Sequence, residues 1–122
     1  MSLLHEDITY KILGCAFDVY NELGYGFLEK VYENALCVAL EEACLEYKTQ
    51  QPLKVLFHDQ CVGDYFADII VNNKIILELK STKNIAKEHE AQLLNYLTAT
   101  GIKLGFIINF GPNKLEHKRI IK

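Results

Sequence analysis

The spacing of apolar residues changes period once along this chain, and that change constrains the fold more than any other feature. Before Pro52, apolar side chains recur at three- and four-residue steps: Leu4, Ile8, Ile12, Cys15, Val19 and Leu23, then Tyr32, Ala35, Leu36, Ala39, Leu40, Ala43 and Tyr47. Each series forms one stripe on a helix, so helices are predicted over 3–23 and 27–47, divided by Gly24-Tyr25-Gly26. After Pro52 the period falls to two, which predicts consecutive strands over 53–58, 62–71 and 74–80. A third helix over 86–100 ends at Gly101, placed as a C-terminal cap. The apolar run 104–110 reads as a strand closed by Gly111-Pro112, and 115–121 as a short edge strand. This order calls for an α/β fold, a mixed β-sheet flanked by helices.

A chain of 122 residues is expected to be one domain, 1–122, with no room for a separate recognition module. No apolar run reaches the roughly 18 residues that a membrane span needs. The start, MSLLHEDITYK, lacks the basic and apolar regions of a signal peptide, so a cytoplasmic protein is expected. Cys15, Cys37, Cys44 and Cys61 are scattered without a Cys-x-x-Cys pair, and are read as reduced, half-buried thiols. The net charge of −3 is uneven, with four lysines against ten acids in 1–61 and nine Lys/Arg against six acids in 62–122. A basic C-terminal half is compatible with a nucleic-acid-facing surface, and equally with charge that is merely solvated.

Four placements point to chemistry, each with an ordinary alternative. Asp68 lies in the apolar strand Tyr65-Phe66-Ala67-Asp68-Ile69-Ile70-Val71, where a carboxylate needs a cation or hydrogen bonds, as a functional group or as half of a structural ion pair. Glu78 and Lys80 share one face of the next strand, as site residues or as a charged strand end. Glu29 sits near a helix start, where the helix dipole alone would favour it. His89, Gln92 and Tyr96 share a helix face, as ligand-facing groups or as polar caps on the sheet end.

Asp68, Glu78 and Lys80 on adjacent strands are what a magnesium-dependent phosphodiester hydrolase requires, two hard oxygen ligands and a fixed cation. The loop between the strands decides whether they meet. A two-residue turn at Asn72-Asn73 would put Glu78 on the far face from Asp68, whereas a three-residue loop, Asn72-Asn73-Lys74, pairs the two acids. The three-residue loop is predicted, with an Asn at positive φ.

The residues resemble the PD-(D/E)XK nuclease superfamily, and within it the small bacterial GxxExxY family, whose motif stands here as Gly26-Phe27-Leu28-Glu29-Lys30-Val31-Tyr32. Asp68 and Glu78-Leu79-Lys80 match the superfamily's acidic pair and lysine, with Ala67 where its name has proline. Gln92-Leu93-Leu94-Asn95-Tyr96 is similar to the Gln-x-x-x-Tyr element of RecB-like nucleases, and 105–111 to the last core strand. The resemblance implies an αβββαβ core and a nuclease that cleaves DNA with metal-activated water. It also implies that Asp68 and Glu78, with the Leu79 carbonyl and Glu29, hold Mg²⁺ or Mn²⁺. Lys80 would position the water and stabilise transition-state charge, and Gln92 with Tyr96 would orient the substrate or the lysine. Lys83, Lys87, Lys118 and Arg119 are the leading candidates for phosphate contacts, with Lys103 and Lys114 beside them. So little surface beyond the core favours a homodimer on DNA. The competing expectation is a catalytically inactive protein on the same fold, serving as a nucleic-acid-binding or protein-interaction module.

Overall fold

The computed structural model describes residues 3–122. Its elements are α1 (Glu6–Leu23), α2 (Glu29–Glu42), β1 (Tyr47–Phe57), β2 (Gln60–Val71), β3 (Ile75–Lys80), α3 (Lys87–Thr100), β4 (Leu104–Phe110) and β5 (Leu115–Ile121). The five strands form one sheet in the order β1-β2-β3-β4-β5. All neighbours are antiparallel except β3 and β4, which run parallel because α3 carries the chain back between them.

Helices cover both faces. On one side Ile12, Ala16, Tyr32, Leu36 and Leu40 from α1 and α2 pack on Ile69, Leu77, Leu79, Phe106 and Phe110. On the other, Leu93, Tyr96 and Leu97 of α3 pack on Leu53, Ala67, Ile70, Ile76 and Ile107. The β4 strand is buried along its whole length, which explains why its sequence is apolar without alternation. α3 lies close to it because Gly105 has no side chain. A Cβ there would stand 2.8 Å from Leu93 Cδ1 and 3.1 Å from its Cγ, with Leu93 fully buried. Gly105→Ala is therefore expected to destabilise the fold by about 1–3 kcal/mol through overpacking, measured as a drop in urea midpoint at unchanged m.

The expected three-residue loop is present. Val71 pairs with Ile75 across Asn72-Asn73-Lys74, and Asn72 and Asn73 both take left-handed backbone at φ 52° and 56°. The second helix ends earlier than its stripe suggested, at Glu42, and Tyr47 opens β1. Cys44 adopts φ 61°, its N–H donates to Glu41 O and that of Leu45 to Leu40 O, a Schellman ending sealed by buried Leu40 and Leu45. A cysteine in the place glycine usually takes left no stop signal in the sequence.

The tyrosine of the Gly-x-x-Glu-x-x-Tyr segment is structural. Tyr32 is fully buried, stacks on Phe110 at 4.3 Å, donates its hydroxyl hydrogen to Gly24 O and accepts from Phe27 N–H. It thereby fixes the loop through which Gly26, at φ 116°, leads into α2. Cys15 is buried and Cys37 half-buried as expected of thiols in helices, but Cys44 and Cys61 are exposed. No helix among the described residues is long and apolar enough to cross a membrane.

Candidate active site

The β2–β3 ladder stops at Ile69–Leu77, and beyond it two carboxylates stand in place of backbone rungs. One step further out, Asp68 and Glu78 are opposed by the same register, so they share a side as the loop length required. Leu79 N–H donates to Asp68 Oδ2 at 2.8 Å, and Asp68 N–H to Glu78 Oε1 at 3.4 Å. The side chains thus satisfy the amides that strand separation leaves without partners. On β1, Gln50 faces Asp68 with φ 48°, and the β1–β2 pairing is interrupted there, as it is again by a register shift between Val55 and Leu56. Ile69 and Val71 on one side of the break join the α1/α2 core, whereas Ala67 and Leu53 on the other join the α3 core. The left-handed residue re-aims the outer hairpin over α3 and opens the sheet at Asp68.

Electrostatics make this opening unusual. Burial pushes the Asp68 carboxyl above its ordinary range, with Glu33 and Glu29 adding repulsion against the Leu79 hydrogen bond. Glu78, itself buried, is pushed up to about 8, by desolvation first and by the Asp68 charge second. The ion pairs among the described residues, Lys30–Glu33 and Lys118–Glu90, involve neither acid. Lys80 is half-buried at the end of β3, opposite Asn109, and its charge acts on Glu78 without a direct ion pair. Tyr96, whose hydroxyl accepts from Gln92 Nε2 at 2.8 Å, is pushed up to about 12 by burial and by the Glu78 charge. Asp68, Glu78 and Lys80 thus come together from β2 and β3, with Tyr96 of α3 within reach of the two acids' charge and Gln92 bonded to it.

Glu29 occupies the first turn of α2 and is exposed, close enough to repel both acids but without a hydrogen bond to either. Its neighbour one turn on, Glu33, is the helix carboxylate tied into the site. It is buried, bonds Lys30 Nζ at 2.8 Å and accepts from Gln50 Nε2 at 2.7 Å, and the same Gln50 nitrogen reaches 3.5 Å from Asp68 Oδ1. Neither Glu33 nor Gln50 was singled out from sequence. A carboxylate directly after the buried Tyr32 was a usable signal for the first; the second lay in what read as the junction between helix and strand. Asn109 was also missed, although a lone amide in the run 104–110 is conspicuous. Fully buried, it accepts from Thr82 N–H at 2.8 Å and donates to Thr82 O and Glu116 Oε1, each at 2.9 Å, clamping the chain just beyond Lys80.

The basic residues divide. Lys83 is exposed in the segment between Lys80 and α3 and Lys87 at the first position of α3, and Lys118 turns toward α3, where it meets Glu90 at 3.8 Å. Arg119 faces the opposite side of β5, with Nη2 buried and unpartnered among the described residues, so it shares no surface with the other three. Cys15 and Cys37 have their thiols pushed up by burial, the reverse of what a thiolate nucleophile needs.

A family model described as the PD-(D/E)XK nuclease superfamily matches residues 6–120. The chain belongs to that superfamily. No curated protein matches it. Among solved structures, the crystal structure of SSO0001 is similar in fold, with a TM-score of 0.58 at 17% identity over 76% of this chain. The chain spans 49% of the length of that protein. PD-(D/E)XK nucleases generally use divalent metals, and the donors here suit one. No group of three or more His, Cys, Asp and Glu side chains is gathered among the described residues. The buried Glu78 and half-buried Asp68, with no ion pair among the described residues, are nevertheless a fitting set for Mg²⁺, which keeps several waters and takes one or two protein carboxylates.

Proposed function

We propose that this chain is a nuclease of the small bacterial GxxExxY group, a single domain over 1–122 that hydrolyses phosphodiester bonds of nucleic acid, DNA foremost, in the cytoplasm. The observation that carries the reading is the pair of opposed carboxylates in the sheet opening, Glu78 buried and Asp68 half-buried, both held above their ordinary range with no ion pair among the described residues, and a lysine two residues further along β3. Such a pair is costly to leave charged and uncompensated, and a divalent cation offsets that cost.

Asp68 and Glu78 would hold Mg²⁺ or Mn²⁺. The Leu79 carbonyl would join them, because in an extended strand it lies on the same side as its N–H, which is aimed at Asp68. When bound, the metal supplies Lewis acidity toward the phosphate and lowers the pKa of a coordinated water. Lys80 holds positive charge where the phosphate gains negative charge. Tyr96, kept protonated, offers its hydroxyl hydrogen to substrate while Gln92 fixes its oxygen. Glu33 and Gln50 orient Asp68, and Glu29 stands at the rim to hold a water. Lys83, Lys87 and Lys118 neutralise backbone phosphates on the α3 side, and a second copy of the chain would extend that grip on duplex DNA.

Isothermal titration with Mn²⁺, run beside cleavage assays on single-stranded, duplex, flapped and junction DNA and on RNA, tests the reading. Micromolar-to-millimolar Mn²⁺ binding that Asp68→Asn abolishes, together with metal-dependent cutting, is the expected result. Absence of both Mn²⁺ binding and cutting would leave an inactive binding module on the same fold.

A further inference from the structure

The outer half of the β1–β2 hairpin and α3 enclose a groove that the acids do not use, lined by Leu53, Val55, Tyr65, His89, Gln92 and Tyr96. We propose that this groove receives an unpaired nucleobase, stacked on Tyr65, so that the preferred substrate enters as a single strand. This assignment rests on the nuclease reading and deepens it by naming the substrate class.

Tyr65 is set up as a stacking platform before any ligand arrives. The residue is 45% exposed, yet its ring is held from two sides. One edge meets Tyr96 at a centroid distance of 5.8 Å and 48°, and the ring lies over Gly63, where a Cβ would come within 3.2 Å of Tyr65 Cε2. An exposed aromatic whose rotamer is already fixed loses little entropy on stacking, and any base has a face to offer it. Buried Leu53 and exposed Val55 give the groove an apolar lining.

The opposite wall can read a base edge. His89 Nδ1 accepts from Ala86 N–H at 3.0 Å, so the neutral ring carries its proton on Nε2, a donor left for a ligand. Gln92 spends Nε2 on Tyr96, and its Oε1 makes no hydrogen bond among the described residues. Asn95, exposed on the same wall, offers both a donor and an acceptor. The Gln92–Tyr96 pair belongs at once to this wall and to the surroundings of Glu78. A base seated here therefore leaves its own backbone beside the acids, while Lys54 at the groove can meet a neighbouring phosphate. In a duplex both faces of each base are covered by neighbours, so Tyr65 is available only to unpaired or frayed strands.

The test compares wild type, Tyr65→Ala and Tyr65→Phe for binding of fluorescein-labelled oligothymidylate, oligouridylate and a blunt duplex by anisotropy, with Ca²⁺ to suppress cleavage. Hydrolysis of bis(p-nitrophenyl) phosphate with Mn²⁺, a substrate without a base, is measured beside it. Tighter binding of single strands than of duplex is expected, weakened about 5- to 100-fold in Tyr65→Ala and kept in Tyr65→Phe, with base-free hydrolysis unchanged in both. The oligouridylate arm shows whether RNA shares the site. Wild type that binds single strands through Tyr65 but leaves bis(p-nitrophenyl) phosphate intact would support the groove and remove the nuclease chemistry. Equal binding by Tyr65→Ala, tighter binding of duplex, or no binding of any oligonucleotide would overturn the groove, whatever the hydrolysis shows.

Discussion

Lys80→Ala is expected to lower metal-dependent phosphodiester hydrolysis by about 10²–10³-fold while leaving the melting temperature nearly unchanged, the size of effect seen when one fixed transition-state charge stabiliser is removed. The stability half of that expectation comes from its surroundings. Lys80 is half-buried at the strand end, belongs to no ion pair among the described residues and contributes to neither hydrophobic core, so its removal opens no cavity and strands no partner. The activity half comes from its register. Asn109 lies opposite on β4 and clamps Thr82, so the lysine projects from a backbone held by β4 and by the Thr82 clamp rather than from a frayed end. Lys80→Arg should not restore the rate, because a planar guanidinium cannot place a compact charge at the same point. Turnover by Lys80→Ala within a factor of a few of wild type would remove the lysine from the chemistry.

Glu78→Gln should change the protein in a way that only a buried, unpaired carboxyl allows. Because Glu78 is pushed up to about 8 from 4.5, the folded state holds this proton through a range in which the unfolded chain has released it. Stability of the metal-free protein therefore falls as pH rises from about 4.5 to about 8, by up to roughly 4 kcal/mol, and is flat on either side. Asp68, shifted in the same direction, adds to the slope at its acidic end. The melting temperature without metal is expected to be some 10 °C higher at pH 5 than at pH 8. Glu78→Gln abolishes most of the slope and raises the metal-free melting temperature at pH 8, since the amide has no charge to lose and can donate to Asp68. Mn²⁺ should stabilise wild type at pH 8 but not the variant, because cation binding favours the charged pair that burial disfavours. A wild-type melting temperature that rises between pH 5 and 8 without metal would contradict the buried-pair electrostatics.

Element order was legible because hydrophobic period is a local property, set by 3.6 residues per helical turn and two per strand repeat. The pairing of Asp68 with Glu78 was legible too, since strand side chains alternate strictly and loop length then fixes which residues face each other. What escaped were places where backbone conformation departs from local preference. Cys44 and Gln50 both take left-handed φ without glycine. The first ended α2 before its apolar stripe ended, and the second broke β1 opposite Asp68, so Gln50 had no sequence signal at all. Glu33 could not be joined to Asp68 from sequence, because the Gln50 that links them stands 17 residues from one and 18 from the other. The groove beside α3 was likewise hidden, because beyond the break at Gln50 Leu53 and Ala67 join the α3 core rather than the α1/α2 core. Local chemistry chose helices, strands and the paired acids; three-dimensional packing decided which carboxylate reached them, because burial can hold a strained backbone that no short stretch of sequence prefers.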